Sequence, residues 1–159
     1  MPHLVLIYAH ALAGLLAFGL GLLVIRPLPA RRNGLFTAYH VALWSMIGLL
    51  IAVVLLDWPT LSSVARLTYG GLVLLALYTG LRGFQASRLR SAQPSGWTLD
   101  YVDHVGFTLI ALFDGFVIVA ALDLHAPGWL VAVVGVMGVL VGRAAIVRVK
   151  RRPVTYPGA

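Results

Sequence analysis

Few side chains in this 159-residue chain can carry chemistry: five histidines, five aspartates, no glutamate and no cysteine. Without cysteine, disulfides, thiolate nucleophiles, iron-sulfur clusters and zinc-thiolate sites are excluded within the chain. His40 and His104 come from separate apolar stretches at similar depth. Two such histidines are the minimum for bis-histidine ligation of a b-type haem, and the plainer alternative is an ordinary hydrogen-bonded role near a helix end. His10 and Asp114 also share a depth, so a buried pair is expected that passes a proton, orients a ligand, or only locks two helices together. Asp103 with Arg143 is a natural ion pair. Asp103 and Asp114 are eleven residues apart, and about 100° per residue returns them to one face of a helix. That polar edge is either a functional track or a run of contacts holding helices together. His3, Asp57, Asp123 and His125 would line the outer surface, a set that could hold a metal ion but sits on mobile connections, and no metal is assigned to them. No catalytic residue is assigned either, because P-loop, dinucleotide, nucleophile-elbow and zinc-protease signatures are all absent.

The elements that must position these residues follow from composition. Hydrophobic residues make up 60% of the chain and charged ones 11%, far from the balance of a soluble domain. A membrane-crossing helix needs roughly 20 mainly apolar residues, and five stretches qualify: 4–25, 35–56, 61–81, 101–122 and 129–147. The expected fold is an all-α integral membrane bundle of five transmembrane helices, one domain over 1–159. All eight prolines fall in connections or tails, where a missing N–H costs least. Trp58, Trp97, Trp129, Tyr39 and Tyr101 lie near the expected ends, the level at which amphipathic rings meet headgroups.

The net charge of +7 is distributed over short connectors, so it reads as a topology signal and not as a nucleic-acid surface. Arg26, Arg31 and Arg32 mark the first connector, and Arg82, Arg88 and Arg90 the third. Arg143, Arg148, Lys150, Arg151 and Arg152 mark the last helix end and tail, and Arg66 alone falls on the other side. Positive residues stay in the cytoplasm, which places the N-terminus outside, the C-terminus inside and the chain in a plasma membrane, the bacterial inner membrane. The first helix is expected to be retained, since it is too long for a signal-peptide core and follows no basic segment. The Arg88–Gly96 stretch reads as a solvated loop, and the basic tail would also attract anionic lipid.

Helices in lipid associate where small residues let backbones approach. Ala9, Ala13, Ala17 and Gly21 form one such stripe, and Gly135, Gly138 and Gly142 another; each serves packing within the chain or between copies. Three stretches resemble a bacterial family of predicted membrane proteins of unknown function: His10-Ala11-Leu12-Ala13-Gly14, Tyr78-Thr79-Gly80-Leu81-Arg82, and the segment after Trp97. That family places a histidine soon after the glycine of the first basic loop, whereas here Gly34 is followed by His40. The resemblance implies a multi-span fold and no particular activity. The leading expectation is a non-enzymatic membrane subunit or scaffold, in contact with the lipid bilayer and binding a membrane-complex partner or a second copy through its small-residue faces. The first alternative is a haem-binding or proton-handling redox protein using His40/His104 and His10/Asp114, and the second a small transporter or channel, for which broken helices or inverted repeats are lacking.

Overall fold

In a computed structural model, which describes residues 2–25, 33–124 and 126–151, the chain forms five helices and, among those residues, no strand. They are α1 (Pro2–Val24), α2 (Asn33–Asp57), α3 (Ser63–Ala92), α4 (Trp97–Asp123) and α5 (Gly128–Arg151). Arg26, Arg31, Arg32, Arg152 and His125 lie outside the described residues, as do the side chains of Asp123 and Arg151.

Continuous runs of Leu, Val, Ala and Ile propagate each helix, and the connections carry the residues that stop one. After α2, Thr60 hydroxyl and amide both bond to Asp57 O at 2.8 and 2.9 Å. Ser62 then caps α3 by accepting from the Ala65 amide at 3.3 Å, a side chain standing in for a missing turn of backbone acceptors. At its far end α3 runs well past residue 81. The stretch expected as a loop from Arg88 is helical to Ala92, because Arg, Leu, Gln and Ala keep a helix going once the apolar part ends. Gln93 stops it in the left-handed region (φ 43°, ψ 50°), its N–H bonded to Leu89 O, and Pro94 prevents resumption.

α1, α2, α3 and α4 close into a ring in which each helix packs on two neighbours, while α5 packs on α4 alone. Five helices are long and apolar enough to cross a membrane, yet no more than 33% of the most apolar stretch of any is buried, and only 6% of that in α5. The buried core lies toward the end of the ring that carries the α3 and α5 arginines, around Tyr39, Leu43, Ile47, Tyr101, Val105 and Ala86.

α4 is the hub. Leu109 faces Gly21 of α1, Phe107 stacks edge-on with Tyr78 of α3 at 5.1 Å, and Ile110 and Ile118 meet Gly142 and Gly135 of α5. Across the ring Tyr39 Oη lies 2.5 Å from Thr108 Oγ1. Thr108 gives its own proton to Val105 O, so Tyr39 is the donor. Tyr101 Oη donates to Val24 O at 2.7 Å, satisfying one carbonyl that the end of α1 leaves over. Tyr39 and Tyr101, expected as headgroup-level rings, are instead wholly buried. A phenol inside a bundle needs a polar partner, and each has one.

Both small-residue stripes are used within the chain. Ala13, Ala17 and Gly21 are buried, and Gly138 and Gly142 face α4 side chains. α2 and α3 close tightly where a Cβ on Gly83 would stand 2.7 Å from Leu43 and one on Gly80 2.9 Å from Ile47, but nothing lies within 4 Å of such an atom on Gly70 or Gly71. Gly83→Val is therefore expected to lower the thermal midpoint in detergent by the equivalent of about 1–3 kcal/mol of overpacking. Gly71→Val should stay within about 0.5 kcal/mol of the parent. Equal stability of the two variants would contradict the close approach at Gly83.

Candidate functional site

The face of α4 that carries Asp103 and Asp114 is the face α5 covers. At its basic end Asp103 lies 2.5 Å from Lys150 Nζ through Oδ2 and 4.0 Å from Arg143 through Oδ1. The expected Asp103–Arg143 pair is thus present at its outer limit, and the close partner is Lys150, one heptad further along α5 and far less exposed than Arg143 (27% against 68%). Seven residues return to the same helix face, a spacing that would have singled out Lys150 had it not been read as part of the tail.

Up the same face, Ile146 packs where Gly106 leaves room, Ile110 against Gly142, and Asp114 against Gly138. A Cβ on Gly138 would collide with Asp114 Oδ1. Asp114 is 5% exposed and its Oδ1 has no hydrogen-bond partner. His10 is not that partner: its Nδ1 bonds to Met46 O of α2 at 3.0 Å. The depth match between His10 and Asp114 is undone by direction, because one side chain turns toward α2 and the other toward α5. At the Arg66 end of the bundle, His3 Nε2 meets Asp57 Oδ2 at 2.8 Å, which joins two of the four residues expected at that surface.

The other polar concentration lies between α3 and α4 at the basic end. Arg82, Gln85, Arg88 and Leu89 of α3 and Asp100, Asp103 and His104 of α4 line a groove of about 430 Å³. Residues 82, 85 and 89 fall on one helix face by three- and four-residue steps, and 100 and 104 do so on the facing helix. The Arg82 guanidinium spans the Phe107 and Tyr78 rings at 5.4 and 6.0 Å. That stacking fixes the side chain while leaving its Nε without a hydrogen bond. Gln85 Oε1 and His104 Nδ1 are likewise buried without partners. Three groove-lining side chains thus each hold a buried polar atom unpaired, an arrangement that costs about 1–3 kcal/mol per group when nothing fills it.

His40 sits beside this groove and does not line it. Its ring packs on Phe36 at 4.7 Å and edge-on to Tyr39 at 5.4 Å, close to Gly83. Its ring nitrogens face the backbones of Phe36 and Gly83 without reaching good hydrogen-bond geometry. His104 therefore opens to the groove and His40 to an aromatic wall. Gln85, Asp100, Tyr39 and Thr108 were not anticipated as site or core polar residues. Arg82 was read only as a topology charge. Among the described residues no group of three or more His, Cys, Asp or Glu is placed to hold a metal ion.

Comparison with protein-family models, curated proteins and solved structures finds no match for this chain.

The Asp114–Gly138 contact is open to a double-mutant cycle. Gly138→Ala is expected to lower the thermal midpoint, and Asp114→Ala in the same chain to restore most of the loss, with a coupling of about 0.5–3 kcal/mol. Strictly additive losses would show that the carboxylate does not occupy the space that Gly138 leaves.

Proposed function

We propose that this chain is a multi-pass protein of the bacterial inner membrane, N-terminus outside and C-terminus in the cytoplasm, acting as a non-enzymatic subunit that holds a partner at its cytoplasmic groove. Support for insertion is the large uncovered apolar surface, which water would penalise at about 25 cal/mol per Å². Orientation is supported by charge: Arg82, Arg88, Arg90, Arg143, Arg148 and Lys150 gather at one end and Arg66 stands at the other, the asymmetry by which short loops are sorted.

The observation that carries the subunit reading is the set of unpaired buried atoms on Arg82, Gln85 and His104 around one groove. Asp103 is already neutralised by Lys150, so the groove presents one unpaired donor, Arg82 Nε, one unpaired acceptor, Gln85 Oε1, and one imidazole nitrogen of His104. It suits the peptide backbone of a partner polypeptide at the membrane surface, whose carbonyl would accept from Arg82 Nε and whose N–H would donate to Gln85 Oε1. The small-residue stripes are consumed by internal packing, which supports a partner surface at the groove in preference to those faces.

Native gel electrophoresis of gently solubilised membranes tests this directly. The chain is expected to migrate in an assembly larger than its own 17.1 kDa, and Arg82→Gln combined with Gln85→Leu should return it to the monomer. A monomeric parent chain would contradict the subunit reading. An absorption spectrum with a Soret band that disappears in His40→Ala or His104→Ala would replace it with the haem reading.

A further inference from the structure

At the end of the bundle remote from the groove, α2 and α3 part company. They are held close at Gly80 and Gly83, but by Gly70 and Gly71 nothing stands within 4 Å of where a side chain would begin. The resulting cleft has a volume of about 550 Å³ and is walled by Ile51, Val54, Leu55, Leu67, Val73 and Leu74. From Arg66 to Leu74 the cleft follows α3 for eight residues, about 12 Å at 1.5 Å per residue, or roughly a third of a hydrocarbon layer.

Trp58 and Arg66 stand at its mouth. The Arg66 guanidinium lies over the Trp58 ring at 5.8 Å, with Nε bonded to Trp58 O at 3.1 Å and Nη2 to Pro59 O at 3.4 Å. These contacts are with neutral groups, and the nearby carboxylate of Asp57 is engaged by His3. A fixed guanidinium at the rim of an apolar slot, with no anion among the described side chains paired to it, is complementary to a molecule that is anionic at one end and a hydrocarbon beyond.

We infer that the α2–α3 cleft binds one anionic phospholipid of the outer leaflet, an acyl chain lying along Gly70 and Gly71 and the phosphate facing Arg66. The inference rests on the insertion proposed above. Gly70 and Gly71 thereby acquire a reason to be glycine that helix packing does not supply, since side chains there would fill the slot. Trp58 would sit at headgroup level, where indole rings concentrate.

Native mass spectrometry of the full chain, released from micelles containing equal amounts of phosphatidylglycerol and phosphatidylcholine with identical acyl chains, tests the assignment. The parent chain is expected to retain one lipid with about a fivefold preference for phosphatidylglycerol, the equivalent of about 1 kcal/mol for one cationic side chain near a lipid surface. Gly70→Leu with Gly71→Leu should abolish retention, circular dichroism confirming that the helices persist. Arg66→Gln should keep one lipid but lose the preference, and Arg66→Lys should keep both. Retention by the filled-cleft variant, equal retention of the two lipids by the parent, or an unchanged preference in Arg66→Gln would each overturn the assignment. If the parent chain instead remains monodisperse in detergent-free buffer, the insertion reading fails independently of the cleft.

Discussion

Everything in this structure answers to one constraint: five helices that leave at least two thirds of their most apolar stretches uncovered. Leu4, Val64, Leu67, Leu74, Trp129 and Val141 all stand more than half exposed. Burying such a side chain is ordinarily favourable by about 1.5–3 kcal/mol, so a water-facing chain would fold to hide them. Here they face outward together, while the interior holds Tyr39, Tyr101, Thr79 and Thr108 beside Leu43, Ile47, Val24 and Val105. Helices this long and apolar suit the bilayer proposed above, where the hydrophobic effect would no longer draw them together.

What holds them instead is fit. α4 meets α1 through Gly21, α3 through ring stacking, and α5 through alternating glycines and isoleucines. The Tyr39–Thr108 and Tyr101–Val24 hydrogen bonds reach across between helices, replacing by direction what apolar burial would otherwise contribute. α5, attached to one neighbour only, is fastened at its basic end by Asp103 with Lys150 and is seated higher up by Gly138, which makes room for Asp114. The two unusual openings, a polar groove between α3 and α4 and an apolar cleft between α2 and α3, lie where α3 leans away from one neighbour or the other. α3 is thus the helix whose exposed surfaces the packing does not explain.

Much of this was legible in the residues. Apolar runs and proline positions located all five helices, missing by four residues or fewer except at the end of α3, where polar but helix-favouring residues concealed eleven further helical positions, 82–92. The eleven-residue spacing of Asp103 and Asp114 correctly put both on one face, though not which helix would cover it. Depth counting paired His10 with Asp114 and failed, because rise along a helix says how far down a side chain lies and nothing about the neighbour it turns to. Tyr39 and Tyr101 were misplaced for a related reason: an aromatic near a helix end suits a headgroup and a bundle interior equally well, and only tertiary packing separates the two. The groove around Arg82, Gln85 and His104 was hidden because arginines near a helix end read first as a sorting signal.

The central claim is that these helices cross a membrane in alternation, and a chain with no native cysteine permits a clean measurement of it. Single cysteines introduced as Thr60→Cys, Ser91→Cys and Leu124→Cys fall in or beside successive connections, and each is probed in cells with a membrane-impermeant maleimide before and after permeabilisation. Thr60→Cys and Leu124→Cys should label in intact cells and Ser91→Cys only after permeabilisation. Labelling of all three under the same condition would contradict the crossing of α3 and α4, and with it the account built on them.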